Sequence, residues 1–170
     1  MTVVGCDNAI FEGTIEENIV LGRGYLTPDD LAWAIRLARL EPDLSGVPSG
    51  LQTRLVSGGG NLSRGQSQRI LIARAVIDRP SLLLLDEAFT GIDERTSHEI
   101  LDAIFDSENR WTIVDISHDG AVVRRADTIH VLGDGRIVES GSADELARRE
   151  GGAFRALFPQ LSRSLRREFR

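Results

Sequence analysis

An α/β fold with a largely parallel sheet is predicted from two observations. Beyond Asn61 the chain alternates segments of helical period with strand segments, and its two apolar strands, 81–85 and 111–116, lack polar alternation. Strands of that kind are covered on both faces, as when helices flank a parallel sheet.

Taken in order, Thr2-Val3-Val4 reads as a short strand, and Thr14-Ile15-Glu16-Glu17 is a capping box opening a helix toward Leu21. Thr27-Pro28-Asp29-Asp30 repeats the start signal with proline at the first helical position, and Leu31, Ile35 and Ala38 supply one apolar face to about Leu40. The first forty residues are thus expected to be mainly helical. Residues 41–61 are rich in proline, glycine and serine, which predicts a long irregular connection. A helix over 63–78, the strand 81–85, a helix over 94–105 and the strand 111–116 follow. Residues 128–132 and 136–139 flank Gly133-Asp134-Gly135 as a hairpin, and Ser142-Ala143-Asp144-Glu145 caps another helix. In the tail, Leu157, Leu161, Leu165 and Phe169 stand at helical spacing among Arg163, Arg166, Arg167 and Arg170. A solvated end with some packing is expected there, ahead of a helix that docks on a membrane surface or partner.

The length of 170 residues suits one domain with a sizeable core. Twenty arginines against 26 acids give a net charge of -6, the wrong sign for a nucleic-acid partner. Cys6 is the lone cysteine, which excludes a disulfide framework and a cysteine zinc cage. No apolar run approaches a membrane span and no signal peptide opens the chain, so a soluble cytoplasmic chain is expected, docked on a membrane protein when assembled.

Chemistry is concentrated in three places. Asp86 and Glu87 follow the leucine run 82–85, where a buried strand emerges into a loop and open α/β sheets bind ligands. An aspartate there can hold magnesium, and a neighbouring glutamate can polarise a water; an acidic turn is the plainer alternative. Upstream, Leu62-Ser63-Arg64-Gly65-Gln66 precedes the helical run 70–76, so a serine at a helix start and a glycine permitting close approach could meet a phosphate; the plainer alternative is an N-cap. Downstream, His118 follows the second apolar strand and could contact a terminal phosphate, whereas His98 and His130 have no such company. Asp93 can cap the helix from Glu94 and also act across an interface. Gly60 to Ser67 fits the phosphate loop G-x-x-x-x-G-K-S/T except that Gln66 stands in the lysine place and no buried strand precedes it. The chain contains no lysine at all.

In this order the segments resemble the nucleotide-binding domain of ABC transporters. Leu62 to Gln66 looks like the family signature LSGGQ with Arg64 in place of its first glycine, and Leu82 to Asp86 looks like Walker B. Phe11-Glu12-Gly13-Thr14-Ile15-Glu16-Glu17-Asn18-Ile19 is similar to the stretch after the Q-loop of exporters. The resemblance implies a P-loop NTPase-like (ABC ATPase) sheet with helices and a helical subdomain, lacking the N-terminal Walker A half. It also implies ATP and Mg2+ as ligands, with Asp86 as the metal residue, Glu87 and His118 as catalytic residues, and Ser63, Arg64, Gly65, Gln66 and Asp93 as nucleotide contacts. The partners implied are a second nucleotide-binding domain and the transmembrane domain of an exporter. Three parts are expected: 1–61, a Q-loop remnant with the helical subdomain; 62–146, the signature-to-histidine half with its hairpin; and 147–170, a helical tail.

The departures are equally definite. Cys6 occupies the place of the Q-loop glutamine, and Ser57-Gly58-Gly59 stands where exporters carry an acidic residue. A chain without Walker A is expected to be nearly inactive alone and to lend Ser63 and Gly65 to a partner's ATP. Two alternatives are a non-catalytic module that completes or regulates a partner's site and a remnant of a truncated gene. Uncovered apolar sheet surface is expected to drive association or aggregation.

Overall fold

The computed structural model describes residues 1–5 and 9–168, with side chains through 167. Cys6, and with it the expectation about the Q-loop position, lies outside the described residues, as does Phe169. The chain divides into two compact units, Met1–Ile116 and Ser117–Arg170.

The first unit is built on a three-stranded parallel sheet in the order β1 (Thr2–Val4), β4 (Leu82–Asp86), β5 (Thr112–Ile116). Its register sets Val4 beside Leu85 and Asp86 beside Ile116. Helix α1 (Ile15–Val20) starts where expected, with the Thr14 hydroxyl accepting from Glu17 N at 3.0 Å and the Glu17 carboxylate accepting from Thr14 N at 2.7 Å. In α2 (Pro28–Leu37), Thr27 and Asp30 form the same reciprocal cap. Helix α4 (Arg64–Val76) is buried without a break from Ile70 to Val76 because α1, α2 and β1 pack around it. Helix α5 (Glu94–Ile104), which follows Asp93, buries Ile100, Leu101 and Ile104.

Three expectations change. Among the described residues of the first forty, helices occupy only 15–20 and 28–37. The connection 41–61 is not irregular: it holds α3 (Glu41–Ser45), two 3-10 turns, and β3 (Arg54–Leu55), which pairs antiparallel with β2 (Gly13–Thr14). Elements of two to five residues are too short to show a period, and non-local bonds hold them; Asn61 donates to Arg54 O at 2.9 Å and accepts from Val56 N at 3.2 Å. Finally, the sheet is covered on one face only. Val4, Leu83 and Leu85 are buried, while Val3, Val114 and Ile116 on the other face remain 38%, 47% and 53% exposed. Unbroken leucine and valine runs report strand burial in general, not which face is covered.

The second unit contains α6 (Gly120–Val123), the hairpin β6 (Ile129–Gly133) and β7 (Arg136–Gly141), and three helices: α7 (Ala143–Arg148), α8 (Ala153–Leu157) and α9 (Pro159–Glu168). Asp134 and Gly135 both take positive φ, 48° and 75°, in the predicted hairpin turn. A small core gathers Val123, Val131, Leu146, Phe154 and Leu165, with Leu161 packed against it. The tail leucines therefore serve this unit's own packing, while Leu157 stays exposed.

Candidate functional site

At the start of α4, the Ser63 hydroxyl accepts from Gln66 N at 3.1 Å, and the Gln66 side-chain carbonyl accepts from Ser63 N at 2.9 Å. Ser63 thus closes a capping box with its oxygen and keeps its own O–H for donation. First-turn N–H groups of Arg64 and Gly65 have no carbonyl partner within the helix, and the positive end of a 13-residue helix dipole is centred on them. Gln66 is spent inside the chain: its amide nitrogen donates to Asp43 Oδ1 at 2.8 Å. Arg69, one turn on, pairs with the same carboxylate at 2.7 Å and also donates to the Arg39 carbonyl. Asp43 was missed by sequence reasoning, since a contact between residues 43 and 66 follows no local spacing rule.

Gly65 has a second reason to be glycine beside the one expected. A Cβ on it would lie 2.8 Å from the Gly91 carbonyl oxygen, so the close approach is to the loop after β4. That loop begins at Glu87, which takes left-handed backbone at φ 50°, a conformation that costs a non-glycine residue about 1 kcal/mol or more. The strain is held by Glu87 N donating to Ile116 O at 3.0 Å, and by turns in which Thr90 N donates to Glu87 O and Ile92 N to Phe89 O, each at 3.2 Å. Asp86 is the last residue of β4, half-buried, and Glu87 the first beyond it, also half-buried. Both carboxylates therefore stand at the C-terminal edge of the parallel sheet.

Asp93 caps α5 by accepting from Thr96 N at 3.0 Å. That hydrogen bond, and then the one from the Thr96 hydroxyl, holds its carboxyl below the ordinary carboxylate value. His118 is exposed and follows β5 by two residues; it belongs to the second unit. His98 is exposed on α5, and His130 shares a 2.9 Å hydrogen bond with Ser140.

Among the described residues no three His, Cys, Asp or Glu side chains gather as a cage for an ion. The donor set at Asp86 fits magnesium of the kind held by one or two carboxylates, with phosphate and water completing the shell. No helix among the described residues is long and apolar enough to cross a membrane.

Residues 3–90 match the ABC transporter family. A fatty acid ABC transporter ATP-binding/permease protein of Mycobacterium bovis is 41% identical over 145 residues, 85% of this chain and 23% of that protein. ABC transporter B family member 15 of Arabidopsis thaliana is 36% identical over 92% of this chain and 13% of its own length. A solved bacterial Atm1-family ABC exporter with ATP bound superposes with a TM-score of 0.86 at 32% identity, over 94% of this chain and 28% of that one. The chain spans less than a third of the length of each of these relatives.

Proposed function

Because this chain belongs to the ABC transporter family, as part of an ATP-binding domain of the exporter type, we propose that it serves an assembly in which ATP hydrolysis drives transport across a membrane. Ser63 donates its hydroxyl, and Arg64 and Gly65 offer first-turn N–H groups, to the terminal phosphate of an ATP held by a second nucleotide-binding domain. At the other ATP site, the chain's own, whose phosphate-binding loop is not among these residues, Glu87 polarises the attacking water and His118 contacts the terminal phosphate. Asp86 would hold Mg2+, whose charge offsets that of the phosphates. Asp93 fixes the entry to α5 and faces the partner domain, and the assembly sits at the cytoplasmic face beneath an exporter's transmembrane domain. Gln66 acts by stiffening the cap, since both ends of its amide are engaged.

The observation that carries this reading is that one unit holds both a capped helix start with an unspent hydroxyl proton and a strained glutamate at the C-terminal edge of a parallel sheet. These 170 residues contain no lysine, so the lysine of a phosphate-binding loop must come from elsewhere, and the chain alone is nearly inactive. Mixing the purified chain with a partner that bears an intact Walker A loop should give ATP turnover. Ser63→Ala in this chain should lower that turnover by roughly tenfold or more, whereas Glu87→Gln, which acts at the chain's own site, should leave the partner's ATP turnover near the parent rate. A partner rate that ignores Ser63→Ala while the complex still forms would remove the signature role; ordinary turnover by the chain alone would remove the requirement for a partner.

A further inference from the structure

The side chain that departs from the family signature lies across the loop that leads away from Glu87. Gly91 has φ 88°, and a Cβ built on it would fall 2.7 Å from both Cγ and Cδ of Arg64 and 3.2 Å from its Cβ. Beneath this contact the Gly65 backbone presses on the Gly91 carbonyl, at 2.8 Å from an added Cβ. Arg64 is the first residue of α4, so its methylene stem is rooted in a capped helix and covers the loop as a strap. Gly91 is the third residue of the turn closed by Ile92 N and Phe89 O, two positions before Asp93, which caps α5.

From this geometry we infer that Arg64 is a positioning residue: its aliphatic stem, not its charge, clamps Gly91 and so holds the loop from Glu87 to Asp93 against the signature turn. Arginine here replaces the freedom of a glycine with a mechanical link between the segment that meets phosphate and the segment that carries the water-polarising carboxylate. The kinetic consequence rests on the function proposed above, whereas the clamp itself does not.

The clamp is tested first in the chain itself. Amide hydrogen exchange at Gly91 and Ile92 should speed up in Arg64→Gly and stay near the parent rate in Arg64→Met, which keeps a long stem without charge. The penalty of Gly91→Ala should shrink in the Arg64→Gly background, a coupling read by a double-mutant cycle. In the assembly, Arg64→Gly should lower kcat at least about fivefold with KM for ATP little changed, and Arg64→Met should recover most of the loss. Exchange that is unaltered in Arg64→Gly, or Met behaving as Gly does, overturns the inference. Ser63→Ala separates the two claims: if it leaves the partner's turnover intact while the complex forms, the proposed function fails, and if it lowers turnover while the loop ignores residue 64, only the clamp fails.

Discussion

At its N-terminal turn α4 is capped within four residues, through the reciprocal Ser63 and Gln66 bonds, and leaves the Arg64 and Gly65 N–H groups without a carbonyl partner in the helix. At its buried C-terminal half the same helix depends on residues more than fifty positions away. Arg74, 9% exposed, donates from Nε to Asn18 O at 2.7 Å, from one terminal nitrogen to Asn18 Oδ1 at 2.8 Å, and from the other to Ala9 O at 3.0 Å. Its guanidinium also lies 5.5 Å from the Phe11 ring centroid. Burial, and then the neighbouring charge of Arg23, pulls its pKa below the ordinary arginine value. The contrast teaches where each kind of work is done. The exposed end keeps donors available because its cap is local, and the buried end fixes where those donors stand because its bonds are remote.

The largest effect should come from breaking the remote end. Arg74→Met leaves three carbonyl oxygens short of a donor and should destabilise the chain by about 3 kcal/mol, measured by urea denaturation. A loss below about 1 kcal/mol would mean that packing alone anchors the helix. Next, Gly91→Ala adds a Cβ at positive φ and against the Arg64 stem, and should cost about 2 kcal/mol. Ser63→Ala tests the local end and should cost about 1 kcal/mol, the usual worth of an N-cap. If it costs as much as Arg74→Met, the two ends are not distinct in kind.

The smallest effect is a pH dependence at the buried end. Arg79, just past α4, pairs with Asp30 of α2 and stacks over Trp33 at 4.4 Å. Hydrogen bonds from Thr27, and then from Arg79, hold the Asp30 carboxyl at about 2, below its ordinary 3.8. A depressed carboxylate contributes stability that is fully present above 3.8 and lost as pH falls through about 2. Acid titration should therefore show a stability loss in that window that Asp30→Asn lacks, with no change above it. Loss of the same size in both proteins would assign the acid sensitivity to other carboxylates.

Much of this was legible from residues alone wherever cause and effect are close along the chain. The caps at Thr14, Thr27, Ser63, Asp93 and Ser142 were visible because a side chain reaches only three residues ahead. The parallel pair β4 and β5 was visible as two apolar runs separated by a helix. The same locality hid the elements between residues 41 and 61 and the part played by Asp43; uncovered apolar sheet surface was expected, but not which face would carry it, the one with Val114 and Ile116.

By itself, then, the amino-acid order determined the helix starts at Thr14, Thr27, Ser63, Asp93 and Ser142, the parallel pair β4 and β5, and the positions of Ser63, Asp86, Glu87 and His118 along the chain. The tertiary structure alone decided that Gly65 serves the approach to Gly91, that Gln66 is tied to Asp43, that Glu87 is held at φ 50°, and that Arg74 binds Ala9 and Asn18. Caps and apolar periods are written in neighbouring residues, whereas a clash, a strained backbone or a buried guanidinium exists only once distant segments occupy the same few ångströms.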